Sequence, residues 1–170
     1  MAEDRTKLIS NVVDFPGSSG GQVMKVTSRL ISLKSTEAPQ FINITDHVSE
    51  SVALAGLSTG FVVIFTRHTT AAVKINESEP LLLEDMKDFL NKIAPKGDYY
   101  RHNDFTIRTV NMTEDECPNG HSHCQHLLMG SSEMIPVVDG QLQLGQWQSV
   151  FLVELDRPRD REVHIQVFGI

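Results

Sequence analysis

Residues 138–141, Val138-Asp139-Gly140-Gln141, lie between two segments in which apolar and polar residues alternate. Asp-Gly at such a position is among the strongest local signals for a β-hairpin, because both residues tolerate the positive φ angles of a tight turn. The segments 151–155 and 163–167, joined by Arg157-Pro158-Arg159-Asp160, predict a second hairpin. Antiparallel pairing is therefore expected in the C-terminal half, which favours an α+β fold over a doubly wound parallel sheet.

Further strands are predicted upstream of these hairpins. They are expected at residues 22–33, 41–44, 61–66, 71–75 and 106–110. The run 61–66 is continuously apolar, which is typical of a strand buried on both faces. Together these patterns predict a mainly antiparallel sheet or sandwich.

Two to three helices are expected beside the sheet. Thr45 or Asp46 can cap a helix that ends before Gly56, and Pro80 opens the clearest helix, which ends at Pro95. A short third helix is predicted after Gly120. It is expected to bury its apolar residues, which are Leu127, Leu128 and Met129.

Length and charge limit the possible functions. A chain of 170 residues predicts a single domain, here 22–170, preceded by a flexible tail at 1–21 that ends in Gly and Ser. The net charge of -7 opposes binding to nucleic acid. The basic group Arg157, Arg159 and Arg161 is interpreted as a polar hairpin turn. No apolar run is long enough for a membrane span or a secretion signal, so a cytoplasmic protein without membrane contact is expected.

Residues 117–126, Cys-Pro-Asn-Gly-His-Ser-His-Cys-Gln-His, contain both cysteines and three of the seven histidines. Imidazole and thiolate are the usual zinc ligands, and imidazole also transfers protons near neutral pH. His121 and His123 share a face in an extended chain, whereas a helix starting near Ser122 places His123 and His126 on one face. Either geometry brings two ligands together.

Some members of this cluster are equally compatible with structural roles. Cys117 and Cys124 can be small buried apolar residues, and reduced thiols are expected rather than a disulfide. His126 or His121 can be an ordinary, partly exposed histidine. The strongest candidates for chemistry are therefore His123 and, from the segment Arg-His-Thr-Thr-Ala-Ala, His68.

Several carboxylates are weaker candidates. Asn76 and Glu77 precede the Pro80 helix, where an acid can serve the helix dipole or line the same site as His68. Asp104 can be a site residue or a turn former. Glu154 alternates with apolar residues and can face either a polar cavity or solvent.

Several ordered motifs resemble the YjbQ-like family, which is also called the secondary thiamine-phosphate synthase enzyme family. The resemblance runs from about residue 24 to the end of the chain. The motifs are His68-Thr69-Thr70-Ala71-Ala72, Ile75-Asn76-Glu77, Pro118-Asn119-Gly120-His121-Ser122-His123, Met129-Gly130-Ser131-Ser132, Gly145-Gln146-Trp147-Gln148, Glu154-Leu155-Asp156 and Val167-Phe168-Gly169.

The resemblance implies an α+β fold assembled as a homotrimer, with histidine-lined pockets near subunit boundaries. It also implies a transferase that joins hydroxymethylpyrimidine diphosphate to thiazole phosphate and releases pyrophosphate. A diphosphate leaving group normally requires a divalent metal together with cationic side chains. The candidate cations are Arg67, Lys74, Arg101 and Arg108.

The resulting hypothesis is an enzyme that binds a small phosphorylated molecule. Its thiamine-phosphate-synthase-like activity would be either its main activity or a secondary one. Its metal or anion site would use His68, His121 and His123, with zinc or magnesium as the expected metal. Asn76, Glu77 and Asp104 would assist, a carboxylate acting as base. Two alternatives are a metal-dependent hydrolase and a non-catalytic trimer that binds a metal or a small ligand.

Overall fold

The computed structural model describes residues 7–9 and 24–170 of the chain. Its strands are β1 (Lys7–Ile9), β2 (Lys25–Lys34), β3 (Gln40–Asn43), β4 (Thr59–Thr66), β5 (Ala71–Glu77), β6 (Ser132–Val138), β7 (Gln141–Leu142), β8 (Gln148–Glu154) and β9 (Asp160–Gly169). Its helices are α1 (Thr45–Ala55), α2 (Pro80–Ile93) and α3 (Gly120–Met129), with one 3-10 turn at Arg101–Asn103.

The strands form two antiparallel sheets. The larger sheet has the order β1-β2-β9-β4-β6-β7, and the smaller one has the order β3-β8-β5. This arrangement, with three helices, confirms the predicted α+β class and the mainly antiparallel pairing. β1 adds an edge strand to β2. The rest of the predicted tail, 1–21, lies outside the described residues.

The small sheet lies between the large sheet and the helices α2 and α3. Its central strand, β8, is buried on both faces. Val150 and Leu152 point into the main core, together with Ile64 and Ile165 of the large sheet. The intervening residues of β8 pack on the other side in a second cluster that includes Leu90 of α2. Glu154 shares the face of Val150 and Leu152, so strand alternation directs it between the sheets.

The two predicted hairpins have different outcomes. The Asp139-Gly140 turn joins β6 to β7, and both turn residues have positive φ angles of 50° and 70°, as a tight hairpin requires. The second hairpin prediction is wrong, because β8 pairs with β3 and β5 while β9 pairs with β2 and β4. Residues 155–159 therefore carry the chain from one sheet to the other.

Two predicted strands also need correction. β4 is not buried on both faces, because Phe61 and Phe65 on its outer side are exposed in the single chain while Val62 and Ile64 are buried. The predicted strand at 106–110 is a turn, in which Asp104 accepts hydrogen bonds from the backbone N–H and the hydroxyl of Thr106. An aspartate that satisfies the local backbone in this way competes with strand pairing.

The helices follow their predicted positions with two exceptions in detail. Thr45 begins α1 but does not cap it; its hydroxyl donates to Asn43 and accepts from the Val150 N–H. In α3 the expected burial holds in part only for Met129, which packs against the second core cluster. Leu127 is 84% exposed and Leu128 is 57% exposed, whereas the polar residues at the start of the helix are buried: His121, Ser122 and Gln125.

Within residues 7–9 and 24–170, no helix combines the length and the apolar composition needed to cross a bilayer.

Candidate functional site

A cavity of about 280 Å³ opens where β4 ends and β9 begins. The segment between β4 and β5 forms one wall, the start of β9 forms the second, and the first turn of α3 forms the third. Its lining residues are Arg67, His68, Thr69, Thr70, Asn119, His123, Arg159, Asp160 and Arg161. The predicted residues His68 and His123, which are 55 positions apart in the printed sequence, therefore reach one cavity.

The backbone of β9 fixes the protonation pattern of His68. The Glu162 N–H donates to His68 Nε2 at 3.1 Å, so the proton of the neutral ring lies on Nδ1. Burial lowers the pKa of His68, and the charge of Arg161 lowers it further. The ring is therefore neutral near pH 7 and has one N–H free to donate.

His123 is paired with a histidine that the sequence analysis did not select. The His102 ring meets the His123 ring edge to face, with centroids 4.7 Å apart. Burial lowers the pKa of His123, and the neighbouring His102 adds to this effect. A neutral imidazole at this position can accept a proton or donate a hydrogen bond near neutral pH.

Two arginines leave hydrogen-bond donors available to the cavity. Arg67 contacts Glu162 through Nη2 alone, and Arg159 contacts Asp156 through Nη1 alone. A guanidinium has five N–H donors, so most of those on each side chain have no partner among the described residues. Both arginines are at least partly open to solvent, and they can reorient toward a bound ligand.

Arg161 is instead fixed by a buried ion pair. Its Nε and Nη2 donate to the two carboxylate oxygens of Glu154, each at 2.6 Å, and Nη2 also donates to the Thr70 hydroxyl. Although burial opposes charging of the carboxyl, the hydrogen bonds from Arg161 lower the pKa of Glu154. The pair joins β8 to β9 beneath the cavity. Of the two orientations predicted for Glu154, toward a polar cavity or toward solvent, the structure shows the inward one.

The first turn of α3 contributes an amide that has no partner. Asn119 is only 8% exposed, and its Oδ1 accepts no hydrogen bond from the described residues. The turn itself is anchored, because Ser122 donates to the Leu155 carbonyl and the Gly120 N–H donates to Asn103 Oδ1. Asn119 is therefore held at the cavity wall with hydrogen-bonding capacity that a ligand could use.

His121 does not reach this cavity. It is buried against Tyr100, with ring centroids 6.4 Å apart, and its Nε2 lies 3.2 Å from Ser122 Oγ. Burial lowers the pKa of His121, with a smaller effect from Lys96. On a helix, residues two apart point in different directions, so the α3 geometry separates His121 from His123.

The predicted metal ligands do not converge in this geometry. His68 uses Nε2 to accept a backbone N–H, and His121 faces another part of the core. Across residues 7–9 and 24–170, no three His, Cys, Asp or Glu side chains form a group suited to a metal ion. The set His68, His121 and His123 does not fit zinc or magnesium in this arrangement.

The three assisting residues also lie apart from the cavity. Asn76 and Glu77 are at the far end of β5 from His68, which corresponds to about 20 Å at the usual rise per strand residue. Asn76 instead donates to Met86, while Glu79 caps α2 through the Leu81 and Leu82 N–H groups. The expectation that Asn76 and Glu77 line the His68 site is wrong within one chain.

Asp104 has a structural role in the 104–108 turn. The Thr106 hydroxyl and N–H lower the pKa of its carboxyl, so it is a charged turn former rather than a base facing the cavity. Cys117, Cys124 and His126 do not line the cavity either. Both cysteines are free, and His126 lies 3.2 Å from the Ser131 hydroxyl.

Seven residues in or beside the cavity were not predicted as site residues: Thr69, Thr70, His102, Asn119, Arg159, Asp160 and Arg161. The arginines were interpreted as a hairpin turn, and alternation along β9, which places Arg161 on the side of Val163, was the signal that could have identified one of them. His102 and Asn119 offered no periodic signal, because each is placed by an irregular segment.

The comparisons with known proteins match most of the chain. A UPF0047 protein of Methanothermobacter thermautotrophicus is 34% identical over 149 residues, which cover 88% of this chain and 96% of that protein. A UPF0047 protein of Archaeoglobus fulgidus is 35% identical and covers 80% of this chain and 97% of the relative.

Solved structures agree with these sequence matches. A YbjQ-like protein of unknown function from Sulfolobus solfataricus has a TM-score of 0.77 and 32% identity, and the match covers 86% of this chain and 99% of that one. An uncharacterised YjbQ/UPF0047 protein of Clostridium acetobutylicum has a TM-score of 0.71 and 37% identity, covering 81% and 98%. The family model described as UPF0047 protein YjbQ-like matches residues 29–170, and the chain belongs to the YjbQ/UPF0047 family.

Proposed function

We propose that the chain is an enzyme that binds a small phosphorylated molecule in the His68–His123 cavity and carries a thiamine-phosphate-synthase-like transferase activity. The observation that carries this proposal is the convergence of His68 and His123 with Arg67 and Arg159 on one cavity. The lining contains three arginines and one carboxylate, that of Asp160, so cationic donors outnumber anionic groups, and phosphate oxygens are acceptors.

The donors differ in how firmly they are held. His68 is oriented by the β9 backbone, and Arg161 is held by Glu154, so these groups need little rearrangement when a ligand binds. Arg67 and Arg159 have spare N–H groups that can follow the ligand. A preorganised set of donors stabilises developing negative charge more effectively than mobile groups do.

The proposed reaction places this charge on the leaving group. The thiazole nitrogen forms a bond with the methylene carbon of hydroxymethylpyrimidine diphosphate while the bond from that carbon to the diphosphate oxygen breaks. The electron pair leaves with pyrophosphate, toward which the arginines and the His68 N–H can donate. No step through a metal is included, because the predicted ligands do not converge.

The test is the formation of thiamine phosphate from the two substrates by purified protein. His123→Ala should lower kcat/KM by roughly 100-fold or more, the usual effect of removing a donor that stabilises developing charge. His126→Ala is the matched control, because His126 is on the same helix outside the cavity and should leave the rate unchanged. Calorimetry with inorganic pyrophosphate should show weaker binding to His68→Ala.

Two results would contradict the proposal. One is wild-type protein that neither forms thiamine phosphate nor binds pyrophosphate. The other is equal turnover in His123→Ala and wild type. A comparison of activity before and after treatment with a chelator tests separately whether a divalent metal takes part.

We also propose that the chain assembles as a homotrimer through the outer face of the large sheet. Phe61 and Phe168 stack there, with ring centroids 5.0 Å apart, and Met134 and Val138 on β6 are exposed beside them. A contiguous apolar face of this kind on a single chain is typical of a subunit interface. The resemblance of the sequence to its family supports three copies.

A further inference from the structure

A second cavity, of about 460 Å³, lies beyond the histidine pair. Its lining residues are Arg101, His102, Ile107, Arg108, Val110 and Asn111. His102 belongs to this cavity and His123 to the first one, and their rings are in contact at 4.7 Å. The two imidazoles therefore form the partition between the cavities.

The second cavity combines an apolar wall with a cationic side chain, that of Arg101. Ile107 is 59% exposed and Val110 is 67% exposed, although both are branched apolar residues. Arg101 lines the cavity, and among residues 7–9 and 24–170 no ion pair or side-chain hydrogen bond engages its guanidinium. An exposed apolar surface beside an unpaired guanidinium matches an aromatic ring, which can pack on aliphatic groups and lie against a cation.

The loop that carries this wall is held in place. Arg108 donates to the carbonyls of His102 and Asn111, at 3.3 and 2.8 Å, and forms an ion pair with Glu116 at 3.3 Å. Arg108 and Glu116 are both largely buried, so this link is shielded from solvent. The apolar wall is thus fixed relative to His102, and a ligand would meet a preformed surface.

We infer that the Arg101–Asn111 cavity is a second binding subsite, which takes the uncharged aromatic heterocycle of a substrate whose phosphate occupies the His68–His123 cavity. This inference rests on the proposed function, because the first cavity must hold the phosphate. His102 and His123 would then lie at the junction of the ring and the phosphate.

The experiment compares two probes on the full chain. Thiamine monophosphate carries an uncharged aminopyrimidine ring, which suits a site beside Arg101, together with a cationic thiazolium ring and a phosphate. Inorganic pyrophosphate carries only the anionic part. The variants are Ile107→Ser combined with Val110→Ser, and Leu54→Ser as a matched exposed apolar control on α1. The double variant should bind thiamine monophosphate roughly ten-fold more weakly, in line with the loss of apolar contacts in a binding pocket, and should bind pyrophosphate as wild type does.

An NMR measurement provides a direct second readout. The methyl resonances of Ile107 and Val110 should shift when thiamine monophosphate is added and stay in place with pyrophosphate. Unchanged binding of both probes by the double variant, together with unshifted methyl resonances, would overturn the subsite and leave the phosphate cavity intact. Failure of wild type to bind either probe would overturn both proposals.

Discussion

Glu154 and Arg161 show how one buried pair shapes the candidate site. Both side chains are almost completely buried, and two hydrogen bonds of 2.6 Å satisfy the carboxylate from Arg161, with Ser35 adding a third at 3.0 Å. Loss of one partner from such a pair leaves an uncompensated charge in the interior. The pair also fixes the guanidinium that forms the floor of the cavity.

Glu154→Gln should therefore lower the free energy of unfolding by about 3–5 kcal/mol, the usual cost of removing one partner of a buried ion pair. Urea denaturation followed by circular dichroism measures this change. Glu162→Gln is the control, because its contact with Arg67 is exposed and should contribute less than about 1 kcal/mol. Equal stability of the two variants would show that the Glu154–Arg161 pair does not hold the sheets together.

For the secondary-structure elements, a tight turn could be predicted from the sequence, whereas the pairing of distant strands could not. The Asp139-Gly140 turn follows from two residues that accept positive φ, so the sequence alone identified it. The 157–160 connection has no such requirement. β8 pairs with β3 and β5, which are distant in sequence, so this pairing depends on long-range contacts that no local turn signal reports.

The helix α3 shows the same limit for the site. Its sequence predicted burial of Leu127, Leu128 and Met129, yet the polar residue Gln125 faces the interior and donates to the Leu90 and Ala94 carbonyls at the end of α2. These interactions depend on where α2 ends relative to α3. The spacing of the histidines could therefore identify His123 as a candidate without separating it from His121.

Gln125→Met should destabilise the end of α2, because two carbonyl groups lose their buried donor. The expected loss is about 1–3 kcal/mol in the free energy of unfolding. Hydrogen exchange should increase at the backbone amides of 91–94 more than at β9. Cys124→Ser, at the exposed neighbouring position, should leave both measurements unchanged. If hydrogen exchange in Gln125→Met increases no more at 91–94 than at β9, the capping role is contradicted.

At the scale of the whole molecule, the outer face of the large sheet is the exposed apolar surface at which we propose that copies of the chain assemble. Its residues belong to β4, β6 and β9, which pair side by side. The apolar run at 61–66 predicted a strand buried on both faces. A single chain leaves one of those faces open, and an interface between copies would cover it.

Light scattering should give a mass three times the 19.0 kDa of the chain. Phe61→Lys should shift the protein toward a single-chain mass, since a charge at the centre of an apolar interface is costly to bury. Leu54→Lys, on the exposed side of α1, should keep the trimeric mass. A wild-type protein with the mass of one chain would contradict the proposed assembly.

The passage of the chain from β8 to β9 makes the candidate cavity a product of the complete fold. Its walls come from the end of β4, the beginning of β9 and the first turn of α3, so no single hairpin or helix can form it. A compound can therefore bind there only when the two sheets of the protein have packed together. Occupancy would consequently protect the whole domain as one cooperative unit, shifting its melting transition upward without dividing it into steps.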